Sequence, residues 1–85
     1  MDLKQQFEAA ALVSKQLSAK PSNEILLQLY SLYKQATAGD AGEDDSSNPF
    51  DFVGKAKHHA WSEQKGKSSN LAMQEYVALV ENLSK

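Results

Sequence analysis

The chain has no cysteine and, although it carries nine basic residues, no arginine. The first absence excludes disulfide bridges, thiolate chemistry and every sulfur-ligated zinc or iron centre. The second means that any anion is met by lysine point charges, without the bidentate fork of a guanidinium. Glycine and proline are scarce, at four and two in 85 residues, and no glycine-rich phosphate loop occurs. Apolar runs such as Ile25-Leu26-Leu27 are far too short to span a bilayer, and Met1-Asp2-Leu3-Lys4 lacks the features of a secretory leader, so a soluble, cytoplasmic protein is expected. With a net charge of −2 the chain lacks the basic balance of a domain that lives on DNA or RNA phosphates, and no nucleic-acid partner is expected.

What is present is a globular composition, 41% hydrophobic and 24% charged, which separates the chain from disordered sequences. Its length fits one domain over residues 1–85, held by packing alone. Apolar residues recur at helical spacing in four blocks, and no stretch alternates with the period of a strand. Leu3, Phe7, Ala10, Ala11, Ser14 and Leu17 mark a first helix over 3–17. Pro21 interrupts the chain, Ser22 or Asn23 caps a second helix over 22–37, and Gly39 closes it. Residues 38–50 form the one long connection. A third helix starts near Asn48-Pro49 or Asp51 and runs to Gln64, with Phe52, Val53, Ala56, Ala60 and Trp61 expected inside and Gly66 ending it. Ser68, Ser69 and Asn70 offer caps for a fourth, with the stripe Met73, Tyr76, Val77, Val80 and Leu83. The fold class is all-α, a four-helix domain with a long crossover between helices two and three.

Charge is uneven. Asp40, Glu43, Asp44, Asp45 and Asp51 fall within residues 39–51 against no lysine, and Lys55, Lys57, Lys65 and Lys67 follow against Glu63 alone. The second helix has more apolar surface than one face requires. Ile25, Leu29, Leu32 and Ala36 fill a core stripe, and Leu27, Tyr30, Tyr33 and Thr37 form another, with Lys34 beside it. Two readings of that second stripe stand: tyrosines packed on a neighbouring helix, or a ligand wall of flat rings and hydroxyls with a lysine for phosphate. Lys55 and Lys57 diverge around the third helix, and spacing does not choose between them.

Other chemistry is poorly served. His58 and His59 are adjacent and diverge by about 100° on a helix, so no metal site is expected. Glu43-Asp44-Asp45 lacks the glycine and terminal glutamate of a calcium loop. The ten serines sit at caps, loops and helix faces with no nucleophile elbow or oxyanion motif around them, which points away from an enzyme.

Two segments resemble the acyl-CoA-binding protein family. Tyr30-Ser31-Leu32-Tyr33-Lys34-Gln35-Ala36-Thr37-Ala38-Gly39-Asp40 is similar to its Y-x-x-Y-K-Q-A-T-x-G-D signature, and Asp51 through Trp61 to its D-x-x-G-K-A-K-W-x-A-W. Phe7, Lys20-Pro21, Leu26-Leu27 and Ala72-Met73-x-x-Tyr76 extend the match over essentially the whole chain. The resemblance implies an up-down-down-up four-helix bundle that carries long-chain fatty acyl-CoA as its ligand, as a monomer without a cofactor, with transient contact to a membrane or an acyl-CoA-using enzyme. It implies that Tyr30, Lys34 and Lys57 hold the 3′-phosphate, that Tyr33 lies against the adenine, and that Tyr76 completes the wall. Lys15 matches a position near the head group, and Ser31 and Leu32 fall within the binding segment. The resemblance thus selects Lys57 over Lys55. His58 stands where the family has tryptophan and places a titratable ring beside Lys57, so protonation is expected to alter the site. Val53 replaces a common lysine, and the R-P-G segment before the third helix is missing. The alternatives are a helical protein-interaction module of the same fold without a ligand, and a binder of free fatty acid or nucleotide that uses half the site.

Overall fold

The computed structural model describes residues 2–42 and 50–84. Four helices form: α1 (Leu3–Ser14), α2 (Asn23–Ala38), α3 (Phe52–Ser62) and α4 (Ser69–Leu83). Among the described residues there is no strand. Each helix starts on a side chain that accepts from an otherwise unpaired backbone N–H. Asp2 and Gln5 form a reciprocal capping box on α1. Ser22 accepts from the Ile25 N–H, Asp51 from that of Gly54 and Ser68 from that of Leu71. At Gly54 a Cβ would collide with the Asp51 carboxylate and displace it from its capping position. The expected α3 start at Asn48-Pro49 and the cluster Glu43-Asp44-Asp45 lie outside the described residues.

Helix α1 stops at Ser14, short of the expected residue 17. The Ser14 hydroxyl donates back to the Ala11 carbonyl at 2.7 Å, and the Lys15 and Gln16 N–H groups bond three residues back, which tightens and ends the helix. At the end of α2, Gly39 takes φ +80°, a conformation that costs other residues a steric penalty, while its N–H reaches Gln35 O. Gly66, in the turn between α3 and α4, also takes a positive φ, +92°.

Packing runs in the order α1, α4, α2, α3. Phe7, Ala10, Leu29, Leu32, Ala36, Ala72, Tyr76 and Val80 make the core, all from α1, α2 and α4. Val13 and Leu17 approach Leu83, so α1 and α4 run parallel. Gln35, late in α2, donates to Lys67 O just before α4, so those two are antiparallel. Asn23 and Leu26 meet Phe52 and Val53 at one end, and Trp61 donates to Gly39 O at the other, so α2 and α3 are parallel. The result is the up-down-down-up bundle. The long connection follows from it: parallel neighbours oblige the chain to return along α3, about 16 Å at 1.5 Å per residue.

Helix α3 corrects one expectation. None of its side chains is fully buried, and Phe52 and Val53 are 72% and 66% exposed. Of the other residues expected inside, Ala56 is exposed and Ala60 and Trp61 are half-buried. Its apolar spacing is that of a helix leaning on α2 alone, which sequence periodicity does not distinguish from a core helix. Among the described residues, no helix is long and apolar enough to cross a membrane.

A polar junction ties the ends of α2, α3 and α4. Gln35, 1% exposed, donates from Nε2 to Asp40 Oδ1 and Lys67 O, both at 2.8 Å, and Asp40 Oδ1 also accepts the Gly66 N–H at 2.9 Å. The Gly66 bond and then the Gln35 bond hold the Asp40 carboxyl below its ordinary 3.8 against the opposing effect of burial, and the Lys65 charge adds least. A lowered carboxylate pKa stabilises the fold fully above the unfolded value, and the contribution is lost as pH falls from there through the folded one. Acid titration of the melting temperature should therefore show a loss below pH 3.8 that is smaller in Asp40→Asn, which keeps an acceptor but does not ionise. Truncating buried Leu32 to Ala should cost about 2 to 5 kcal/mol in urea unfolding, and Leu12→Ala on the 63% exposed position about 0.5 kcal/mol or less.

Candidate functional site

Three rings from three core helices meet beneath one open face. Phe7 stacks on Tyr33 at 5.4 Å between centroids with planes 24° apart, and meets Tyr76 edge-on at 5.0 Å. Tyr33 and Tyr76 are tilted at 6.1 Å. Such offset and edge arrangements are the favoured ones for aromatic quadrupoles. Tyr33 remains 42% exposed while Tyr76 is 4% exposed, with its hydroxyl 3.2 Å from that of Ser14. Above them lies a cleft of about 320 Å³ walled by Tyr30, Tyr33 and Tyr76, with Lys15, Ser14, Ala11 and Leu29 completing it. Lys15 gains its place as the C-cap of α1.

Two lysines stand at the α3 side of this face, crossed over the seam between helices. Lys34 of α2 places its ammonium 5.0 Å from the ring centroid of Trp61 on α3. Lys57 of α3 places its own 5.3 Å from the ring of Tyr30 on α2. Each is a cation–π contact, which holds the charge at the surface without neutralising it. Lys57 also lines an apolar groove of about 390 Å³ between the N-terminal halves of α2 and α3, formed with Leu26, Leu27, Phe52, Val53, Ala56 and Asn23. Lys57 and its ring partner Tyr30 therefore join the aromatic cleft to the apolar groove.

Of the eight residues expected at the site, Lys15, Tyr30, Tyr33 and Tyr76 line the cleft and Lys57 joins them through the Tyr30 ring, while Lys34 rests on the Trp61 ring. Ser31 and Leu32 do not line the cleft. Leu32 is in the core, and Ser31, 1% exposed, donates to Gln28 O and accepts from Gln64 Nε2 on the far side of α2. The sequence reading did not assign site roles to Ser14, Leu29, Phe52 or Ala56. Ser14 stood in the α1 stripe, whereas nothing in the spacing of α3 marked its outer residues as a groove wall. No group of three or more His, Asp or Glu side chains able to hold a metal occurs among the described residues.

His58 points elsewhere. Its Nε2 is 2.7 Å from Gly42 O, its ring edge meets Trp61, and it does not line the aromatic cleft. A carbonyl only accepts, so Nε2 is the nitrogen that carries the proton and donates to Gly42 O. Its Nδ1 is 3.5 Å from the Ser62 hydroxyl, which also donates to His58 O.

Fold and site together define a small all-α domain with an aromatic, lysine-edged cleft opening into an apolar groove. The acyl CoA binding protein family matches residues 4–80. An acyl-CoA-binding protein homolog of Drosophila melanogaster is 51% identical over 81 residues, covering 93% of this chain and 91% of that protein. The acyl-CoA-binding protein of Saccharomyces cerevisiae is 46% identical over 81 residues, covering 93% and 90%. The crystal structure of Oryza sativa acyl-CoA-binding protein 2 superposes with a TM-score of 0.88 at 38% identity, covering 96% of this chain and 90% of that one. The chain belongs to the acyl-CoA-binding protein family.

Proposed function

We propose that the chain, as one acyl-CoA-binding domain over residues 1–85, is a monomeric, cytoplasmic, non-catalytic carrier of long-chain fatty acyl-CoA esters. It needs no cofactor, and contact with a membrane or an acyl-CoA-using enzyme is transient. The observation that carries this reading is the junction at Lys57 and Tyr30, where a cleft suited to a charged nucleotide meets a groove suited to a hydrocarbon. Family membership and the named relatives support it.

Each part of the ligand has a matching chemistry. Lys34, Lys57 and the Tyr30 hydroxyl would hold the 3′-phosphate, with Lys15 near the head group, a reading supported by the two lysine–ring contacts and by Tyr30 and Lys15 in the cleft wall. A charge-assisted bond is worth about 1.5 to 3 kcal/mol, nearer the lower value here because both ammonium groups adjoin solvent. The open face of Tyr33, backed by Phe7, offers a stacking surface worth about 1 to 3 kcal/mol for adenine. Ser31 and Leu32 contribute by holding α2, and so the tyrosines on either side of them, against α3 and the core.

The acyl chain supplies the largest gain. Burying about 14 methylenes at about 0.8 kcal/mol each gives at most about 11 kcal/mol. Association and ordering cost on the order of 4 to 15 kcal/mol, so neither half of the ligand suffices alone. Calorimetry with palmitoyl-CoA, CoA and palmitate should give strong binding of the ester and weak binding of each half. Absence of heat with all three would leave a protein-interaction module of the same fold. Lys34→Ala and Lys57→Ala should each weaken palmitoyl-CoA binding about tenfold or more with little change in urea unfolding. Equal loss of both would make the lysines structural.

A further inference from the structure

We infer that Trp61 is a positioning residue of the phosphate subsite, acting through Lys34; this rests on the phosphate reading proposed above. The indole is fixed from two sides. Its Nε1–H donates to Gly39 O at 2.8 Å, and the ring meets the His58 ring edge-on at 6.5 Å and 69°. Gly39 is the C-cap of α2, with its own N–H on Gln35 O, and the next residue, Asp40, is held by Gly66 and Gln35. The ring on α3 is thus referenced to the helix that carries Lys34, five residues before Gly39.

On that fixed ring the Lys34 ammonium stands 5.0 Å from the centroid. Indole is the strongest of the aromatic faces for a cation. A lysine stem free in water samples many rotamers, and ordering it opposes any bond its ammonium makes to a ligand. The indole face removes part of that freedom before the ligand arrives. It also leaves the outward side of the ammonium, with its N–H donors, open to a phosphate oxygen. Trp61 has no donor to spare for the ligand, because its N–H is already committed to Gly39, so its effect on the phosphate passes through Lys34. Tyr30 differs: it carries Lys57 on its ring and also presents a hydroxyl to the cleft.

The experiment compares palmitoyl-CoA with its 3′-dephospho analogue, by calorimetry, on the native protein, Trp61→Leu, Trp61→Phe, Lys34→Met and the double variant Lys34→Met/Trp61→Leu. Trp61→Leu should lose about three- to tenfold in affinity for palmitoyl-CoA and nothing for the dephospho ester, with Trp61→Phe between it and the native protein. On the Lys34→Met background Trp61→Leu should have no further effect, since the two residues act as one unit. Equal weakening of both esters in a variant whose helical circular dichroism is intact would overturn the inference, as would a full Trp61→Leu effect persisting without Lys34. Should Trp61→Leu not fold, Trp61→Phe decides: reduced discrimination supports the inference and unchanged discrimination refutes it. Equal binding of the two esters by the native protein would overturn the phosphate reading itself, and this inference with it.

Discussion

Helix α2 has two faces to bury and only one core to bury them in. Leu29, Leu32 and Ala36 go into the interior made with α1 and α4, and the opposite flank, Leu27, Ser31 and Lys34, meets α3. Between these two contacts lies the stripe of Tyr30 and Tyr33, which Phe7 and Lys57 cover only in part. The other arrangements follow from this. Helix α3 is an outrigger with no buried side chain, and the groove between it and α2 stays open. Because α3 must lie parallel to α2 to reach the same face, a long connection is unavoidable. The Gln35–Asp40–Gly66 junction pins the far end, so the two helices remain in register while their near ends stand apart around apolar space.

That outrigger is held by unusual means for a helix. Hydrophobic burial supplies little. Contacts across the seam include Trp61 to Gly39 O, Gln64 to Ser31 and two crossed lysine-on-ring pairs. An exposed cation–π contact is worth about 0.5 to 1 kcal/mol, less than a charge-assisted bond to phosphate at about 1.5 to 3 kcal/mol. An anion bound between Lys34 and Lys57 would therefore connect α2 to α3 more strongly than the resting contacts do. Lysine suits this use, since its ammonium can rest on a ring face and still direct donors outward, whereas a guanidinium stacked on a ring presents its donors only in its own plane.

Much of the architecture was legible in the sequence because local and tertiary signals agreed. Ser22, Asp51 and Ser68 cap the helices, Gly39 ends α2, and the stripes Phe7-Ala10-Ala11-Ser14 and Tyr76-Val80 face inward. Legibility failed where a residue's role depends on what lies across from it. Leu17 carries the α1 spacing onward, yet the Ser14 hydroxyl ends the helix three residues earlier. Phe52 and Val53 keep helical spacing but have no second helix beyond them, so burial was overestimated. Tyrosines at 30 and 33 were ambiguous in spacing alone, and the family motif supplied the functional reading. The motif in turn does not say that Ser31 faces away from the cleft, which takes the Gln64 contact to show. The crossed lysines were invisible for a related reason: positions 34 and 61, or 30 and 57, are brought together by a topology that no local pattern encodes.

The same topology bears on how selectivity for the joined ester arises. A cleft of about 320 Å³ and a groove of about 390 Å³ are each small and open, and neither encloses its occupant. Open sites recover only part of the burial that a closed cavity would give, so a fragment held by one of them alone would bind poorly once association entropy is subtracted. Joining the fragments removes one association cost, and the second site is then filled at high effective concentration. Tyr30 and Lys57 stand where the cleft meets the groove, with the cation on the ring across the seam. The selectivity proposed for the ester over its halves would therefore come from two shallow sites set side by side on α2, without requiring that either site be deep.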